Sequence, residues 1–415
     1  MTNTLPPEQH TAVAEFFQRH GRMPIITHLT DTDLYKFTMQ QSVLHQFPGA
    51  EAEYRFQCRT QDVDLRPLAE AIKLELEHLC QLQFTDEELA FLGSLRYMKK
   101  DYIEFLRIFK LRQAFVNVDA SGDQLAITIR GPMLHVMPFE IYLLAIVNEL
   151  YYRQFASHQT SQEGLRRLKE KIQLVHQHFN GTQEQASFRF SDFGTRRRFS
   201  REWQGTVVRT LAQELRQYMT GTSNVFLAMT EKLIPLGTMA HEYLQAHQAL
   251  RCQLVDSQKA ALESWVKEYR GDLGIALTDV IGLDAFTRDF DLYFAKLYDG
   301  VRHDSGDPYV WGDRMIEHYK SLRINPQTKT LVFSDSLTMR KALDLYDYFH
   351  HRANTAFGIG THLTNDTGPR PINIVIKMVR LNDKPTAKLS DSPGKTMCDD
   401  PMFIAYLKKV FQVPD

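Results

Sequence analysis

Cysteine is scarce in this chain: four in 415 residues, at Cys58, Cys80, Cys252 and Cys398, with no Cys-x-x-Cys pair. That spacing argues against a zinc site and for the reduced thiols of a cytoplasmic protein. Net charge is scarce too, with 49 basic side chains against 50 acidic ones. No chain-wide attraction to nucleic acid or to an anionic membrane is therefore expected, and any specificity for anions must be local. The first ten residues, MTNTLPPEQH, lack the basic-then-apolar pattern of a secretion signal. The most apolar stretch, MPFEIYLLAIVNELYY (137–152), is broken by Glu140, Asn148 and Glu149, so it reads as a buried helix of a soluble protein and not as a membrane span.

What is present is enough apolar material, 43% of the chain, to fill two packed domains. Residues 1–155 mix elements without regular alternation: a helix through DLYKFTMQQSVLHQF capped by Asp31 or Thr32, a strand in AEYRFQC, a helix in LRPLAEAIKLELEHLCQL and a strand in DQLAITIRG. They predict an α+β domain, which residues 372–415 are candidates to rejoin. Residues 187–371 instead carry short apolar runs, SFRFSDFG, KLIPLGTMAH, LGIALTDV, GVRHDSG, TLVFSDS and NTAFGIG, and PINIVIKMV reads as one more at the far boundary. Helix-length segments such as LDAFTRDFDLYFAKLYD and LTMRKALDLYDYF lie between several of these runs. This alternation predicts an α/β fold built on an incomplete β/α barrel.

In such a barrel the carboxyl ends of the strands share one face, so Asp192, His241, Asp279, Asp304 and Asp335 should converge there. One aspartate after a strand is more often a turn former or helix cap, but five such residues together point to a site. The glycines of FGIGTHLTND (357–366) let backbone N–H groups approach an oxyanion beside the Thr361 hydroxyl, although a plain tight turn fits the same residues. Arg196, Arg197, Arg198 and Arg201 in SDFGTRRRFSRE suit phosphate, whose oxygens a guanidinium binds in pairs. In VRHDSGDP (301–308), Asp304 and Asp307 offer hard oxygens to a magnesium polyphosphate or a sugar, and Arg302 offers countercharge; the alternative is a turn that caps the next helix. His241 and His247 stand six apart, which rules out a His-Glu-x-x-His metal motif; a strand-end histidine suits a proton or phosphoryl acceptor, although a lone histidine is more often structural.

LTDTDLYKFTMQQ (29–41), SDFGTRRRFSRE (191–202), GTSN (221–224), GTMAHE (237–242), VRHDSGDP, FGIGTHLT and AKLSDSPGK (387–395) resemble, in order and spacing, the motifs of the nicotinate phosphoribosyltransferase family, its bacterial branch above all. The resemblance implies the type II phosphoribosyltransferase fold, a funnel-like α/β barrel with a second domain. It also implies joining nicotinate to 5-phosphoribosyl-1-pyrophosphate, with ATP and Mg²⁺ as cofactors, in NAD salvage. It assigns His241 to phosphorylation by ATP, Tyr35 and Phe193 to the pyridine ring, and Thr238 and Arg302 to the nicotinate carboxylate. Arg196, Gly360 and Thr361 are assigned to phosphate, and Asp304 and Asp307 to ribose and magnesium. In this family the tyrosine can come from a neighbouring subunit, so a homodimer is one implied assembly. Nicotinamide-specific relatives carry Gly-Thr-Asp-Thr where Ser223 stands here, and loss of that acid favours a carboxylate substrate. Quinolinate-specific relatives lack the histidine, and a silent phosphosugar-binding protein would have no need of it. Lys388, Ser390 and Lys395 match the last motif without an assigned role.

Overall fold

The computed structural model describes residues 23–180, 187–250, 253–391, 396 and 398–413. Cys252, Lys395 and the first ten residues lie outside the described residues. Two sheets organise the rest. An antiparallel sheet takes strands β1 (Glu51–Cys58), β2 (Val116–Asp119) and β3 (Ala126–Pro132) from the first part of the chain, and β11 (Ile374–Leu381) and β12 (Lys384–Pro385) from the last, in the order β12-β11-β1-β3-β2. β1 buries Ala52, Tyr54 and Phe56 and exposes Glu51, Arg55 and Gln57, the period of two that a half-buried strand requires.

The other sheet is parallel and its strands are short: β4 (Phe190–Asp192), β5 (Met219–Thr222), β6 (Ile234–Pro235), β7 (Ile275–Leu277), β8 (Gly300–His303), β9 (Thr330–Phe333) and β10 (Asn354–Ile359). Their order, β6-β5-β4-β10-β9-β8-β7, is a β/α barrel left open between β6 and β7. The connection across that opening holds helices His241–His247 and Ser257–Tyr269, which pack on each other, and the first of them also packs on β11. The antiparallel sheet thus stands at the mouth of the half-barrel.

Several local expectations shift for physical reasons. PINIVIKMV is β11: its long hydrogen-bonded partner is β1, with Tyr54 opposite Met378, so it belongs to the antiparallel sheet and not among the barrel strands. β5, Met-Thr-Gly-Thr, is too short and polar to stand out in the sequence, yet it is buried between β4 and β6. The helix expected to be capped by Asp31 or Thr32 begins at Leu34 with Asp33 at its N-cap, and the Asp33 carboxylate is used elsewhere. LDAFTRDFDLYFAKLYD forms two helices, Leu283–Asp289 and Leu292–Leu297, because Asp291 caps the second by accepting from the Tyr293 and Phe294 amides. Among the described residues, Met133–Phe155 is long and apolar enough to cross a bilayer, but 94% of its apolar window is inside the protein. The polar residues that interrupt it serve as docking points. Glu140 pairs with Lys36, the Asn148 amide donates to the Arg198 carbonyl at 2.6 Å, and Glu149 accepts from the Arg201 amide at 2.9 Å.

Glu75, 1% exposed, accepts from the Ile25 amide at 2.9 Å, and burial raises its carboxyl to about 7. A folded-state pKa above the unfolded one stabilises the fold below the unfolded value and loses that stabilisation as pH rises through the folded value. Melting temperatures should therefore fall for the wild type relative to Glu75→Gln as pH rises from about 4.5 to about 7. Parallel curves in that window would show that Glu75 is ionised in the fold.

Candidate functional site

A cavity of about 520 Å³ lies where the strand ends of the half-barrel meet the antiparallel sheet. Its wall is built from loops that follow β4, β6, β8, β9 and β10. After β4 the chain turns through Phe193 and Gly194 into a 3-10 turn, Thr195–Arg197. The Phe193 ring lies against Gly358, where any side chain would collide with it, so the glycine is required by this packing. Arg196 and Arg197 line the cavity, whereas Arg198 turns inward and binds Asp31 through two hydrogen bonds of 2.6 and 2.9 Å. Asn224 adds a third donor to Asp31 at 2.7 Å.

His241 opens its short helix at the cavity edge, with Nε2 2.8 Å from Asp279 Oδ1. Asp279 is 1% exposed and also receives the Lys388 ammonium at 2.7 Å and the Ser305 hydroxyl at 2.6 Å. Against the cost of burial, His241 and Lys388 hold Asp279 well below the usual carboxylate range. Burial, followed by the nearby Lys388 charge, pushes His241 down to about 4, so its imidazole is neutral at physiological pH. Because Asp279 is the acceptor, Nε2 carries the ring proton and Nδ1 keeps the lone pair. Lys388, which had no role in the sequence, therefore completes a Lys-Asp-His array. Its neighbouring segment is strapped to the barrel by Leu389 N–H to the Val280 carbonyl, 2.8 Å, and Asp391 N–H to Ser305 Oγ, 3.1 Å.

Asp304 follows β8. Its Oδ1 accepts from Ser334 at 3.0 Å and its Oδ2 lies 3.6 Å from His241 Nε2. Against burial, His241 and Arg302 hold it ionised. Ligand atoms of His241, Asp279 and Asp304 fall within 4.8 Å of one another. Lys388 and Ser305 already occupy Asp279, however, so the trio is poorly suited to enclose a metal ion, and Asp304 is the carboxylate of the three that remains available to the cavity.

Tyr35, Phe193, Arg196, Arg302, Asp304, His241, Gly360 and Thr361 all face this one cavity, as does Asp335. Tyr35 lines the cavity of its own chain. Three expectations need correction. The Asp307 carboxylate caps helix Pro308–Ser321, accepting from the Tyr309 and Val310 amides at 2.9 and 3.0 Å, and does not line the cavity. The Thr238 hydroxyl donates to the Ile275 carbonyl at 3.0 Å, and the wall beside it is made by Gly237 and Ala240. Asp192 is fully buried, accepting from Gln204, Thr222 and the Gly194 amide at 2.8 Å each, and so ties β4 to β5 beneath the site. The Ser223 hydroxyl donates to Asp33 at 2.7 Å, and burial pushes the Asp33 carboxyl upward in pKa.

Other cavity residues escaped the sequence reading: Tyr54, Glu140, Glu242 and Lys377, with Lys36 behind them. Charged residues inside apolar runs, Glu140 and Lys377 above all, are the signal that could have found them.

An open parallel half-barrel whose strand ends meet an antiparallel sheet, with arginines and a buried histidine array between them, defines a type II phosphoribosyltransferase fold. The nicotinate phosphoribosyltransferase N-terminal domain matches residues 30–148 and the nicotinate phosphoribosyltransferase family matches residues 188–415. The nicotinate phosphoribosyltransferase of Bordetella petrii is 55% identical over 393 residues, 94% of this chain and 99% of that protein. That of Cupriavidus necator is 56% identical over 392 residues, with 94% and 99% covered. The crystal structure of the Vibrio cholerae nicotinate phosphoribosyltransferase superposes with a TM-score of 0.90 at 40% identity over 94% of each chain. That from Porphyromonas gingivalis gives 0.87 at 35% identity over 94% of this chain and all of the other. The chain belongs to the nicotinate phosphoribosyltransferase family.

Arg198→Met should strand the buried Asp31 carboxylate and cost about 3–5 kcal/mol of unfolding free energy. The double variant with Asp31→Asn should recover a large part of that loss in urea melts. Equal stability of single and double variants would show that the pair is not coupled.

Proposed function

We propose that this protein is an ATP-dependent nicotinate phosphoribosyltransferase of the cytoplasm, forming nicotinate mononucleotide and pyrophosphate in NAD salvage. The observation that carries this reading is the His241 imidazole, hydrogen-bonded to an Asp279 that Lys388 also binds, at the edge of a cavity lined with cations. In the ATP half-reaction, His241 Nδ1 attacks the γ-phosphorus. A P–N bond forms, the bond to the β-phosphate oxygen breaks, and ADP leaves; Nε2 keeps its proton, donated in a hydrogen bond to Asp279, and no general base is needed. Water later hydrolyses the phosphohistidine to phosphate.

In the second half-reaction the pyridine nitrogen of nicotinate, unprotonated at neutral pH, attacks the anomeric carbon of the phosphoribosyl group with inversion, and the bond to pyrophosphate breaks. The protein's work is positioning and charge stabilisation. Tyr35 and Phe193 offer flat faces to the ring. Arg302, whose Nε is buried without a hydrogen-bond partner among the described residues, is the cation for the nicotinate carboxylate. Arg196, Gly360 and Thr361 face the phosphates, and Asp304 faces the ribose. Mg²⁺, carried on the substrate phosphates near Asp304, would supply charge neutralisation to the departing pyrophosphate. Thr238 and Asp307 are left out of this set because their side chains are committed to the main chain.

The test is intact mass and turnover on one preparation of wild type and His241→Ala, given Mg²⁺ and ATP, then phosphoribosyl pyrophosphate with nicotinate or nicotinamide. A phosphoryl adduct on the wild type alone, with product from nicotinate and not from nicotinamide, is the expected result. Phosphorus NMR of the denatured adduct should report the Nδ1 isomer. An Nε2 adduct would overturn the tautomer argument, and equal use of nicotinamide would overturn the substrate.

A further inference from the structure

The loop after β10 brings Gly360 and Thr361 to the cavity, and the helix it opens, Thr361–Thr364, is only four residues long. A single turn of helix does not hold its own shape, so the loop takes its geometry from whatever it is tied to. On one side it is tied to the loop after β4. The Thr364 hydroxyl donates to the Gly194 carbonyl at 3.0 Å, the Phe199 amide to the Thr364 carbonyl at 2.8 Å, and the Asn365 side-chain amide to the Arg197 carbonyl at 3.0 Å. On the other side the tie is ionic. Asp366 Oδ1 lies 2.5 Å from Arg167 Nη1 and Asp366 Oδ2 lies 2.6 Å from Lys171 Nζ.

Both cations belong to helix His158–His178, one turn apart on the same face, and Arg167 is itself held by Glu163 at 2.6 Å. That face also meets the residue after Asp366 closely: a side chain at Gly164 would come within 3.1 Å of Thr367 and 2.7 Å of the Trp203 ring. Lys171 is 7% exposed, so its pairing with Asp366 is shielded from the solvent that weakens a surface ion pair. Against burial, Lys171 and Arg167 hold the Asp366 carboxyl below its ordinary value, which keeps it ionised. Asp366 lines the cavity, where a bare carboxylate would repel phosphate, while Arg167 and Lys171 stand behind it on the helix. Both of its oxygens are spent on that helix, so its influence on a ligand passes through the loop it anchors. We infer that Asp366 is a positioning residue: clamped by Arg167 and Lys171, it fixes the Gly360–Thr361 turn in the geometry that receives the 5-phosphate of the phosphoribosyl substrate. Helix His158–His178 carries the chain from Phe139–Tyr152 to β4, so the clamp also ties this turn to the connection between the two parts of the molecule.

This inference rests on the reading that Gly360 and Thr361 receive phosphate, so wild type and Thr361→Ala are titrated first with ribose 5-phosphate by calorimetry. Equal affinity of the two overturns that reading and this inference with it. With Thr361→Ala weakened, Asp366→Ala is measured in the same way, together with the KM of phosphoribosyl pyrophosphate and of nicotinate. Removing the carboxylate frees two cations near the phosphate end, so an effect of charge alone would tighten ribose 5-phosphate. Loss of positioning should instead weaken it about tenfold, the size of one charge-assisted hydrogen bond, and raise the KM of phosphoribosyl pyrophosphate while that of nicotinate stays unchanged. Lys171→Met should weaken ribose 5-phosphate in the same direction, and Lys171→Arg should restore it. Tighter or unchanged binding by Asp366→Ala would overturn the inference with the phosphate reading intact, as would a matching rise in the KM of nicotinate. Should Asp366→Ala not fold, Asp366→Asn, which keeps the shape and removes the charge, is judged by the same criteria.

Discussion

The architecture depends on one buried ammonium. Lys36, 2% exposed, sits between Glu140 and Glu242. Those three residues come from helices Leu34–Gln46, Phe139–Tyr152 and His241–His247, so a single charge cluster joins the part of the chain that builds the antiparallel sheet to the connection that spans the open side of the half-barrel. Taking these groups out of water is expensive, and removing Lys36 leaves two buried carboxyl groups uncompensated at a cost of about 3–5 kcal/mol. The arrangement therefore has little tolerance for sliding, and Glu242, the residue after His241, carries that fixed position directly to His241.

A second consequence of the open barrel is that the site is assembled from two sheets. A closed barrel would fill its interior with side chains and build its site from its own loops. Here the missing closure between β6 and β7 leaves room for a cavity, and the antiparallel sheet covers it. The strap around Leu389 and Asp391 returns from that sheet to the loops after β7 and β8 and delivers Lys388 to Asp279. With Lys388 and Ser305 on Asp279 Oδ2, Oδ1 is left to accept from His241 Nε2, and ordinary hydrogen-bond valence sets the tautomer.

Much of the candidate site was legible because strand ends in α/β folds converge. His241, Asp304, Arg196, Arg302, Gly360 and Thr361 each stand just past an apolar run, and each faces the cavity. The same rule placed Asp192 and Asp279 too simply, and the loop reading did the same for Asp307. Such a rule locates a residue along the strand direction but cannot tell whether its carboxylate points into the cavity, down into a hydrogen-bond network, or back onto the first amides of the next helix. Ser223 shows the same difficulty in another form, since the acid that faces it, Asp33, lies 190 residues away in sequence.

The sequence by itself determined the class of fold, through the alternation of short apolar runs with helices, and the motifs that mark the family. It also determined that the apolar helix 139–152 carries polar residues that need partners, because a buried charge without one is too costly to keep. Only the tertiary structure decided what those partners are: Glu140 with Lys36, Glu149 with the Arg201 amide, Lys388 with Asp279. The reason is that local periodicity is fixed by backbone geometry over a few residues. Charge pairing across two sheets depends on the packing of elements more than a hundred residues apart.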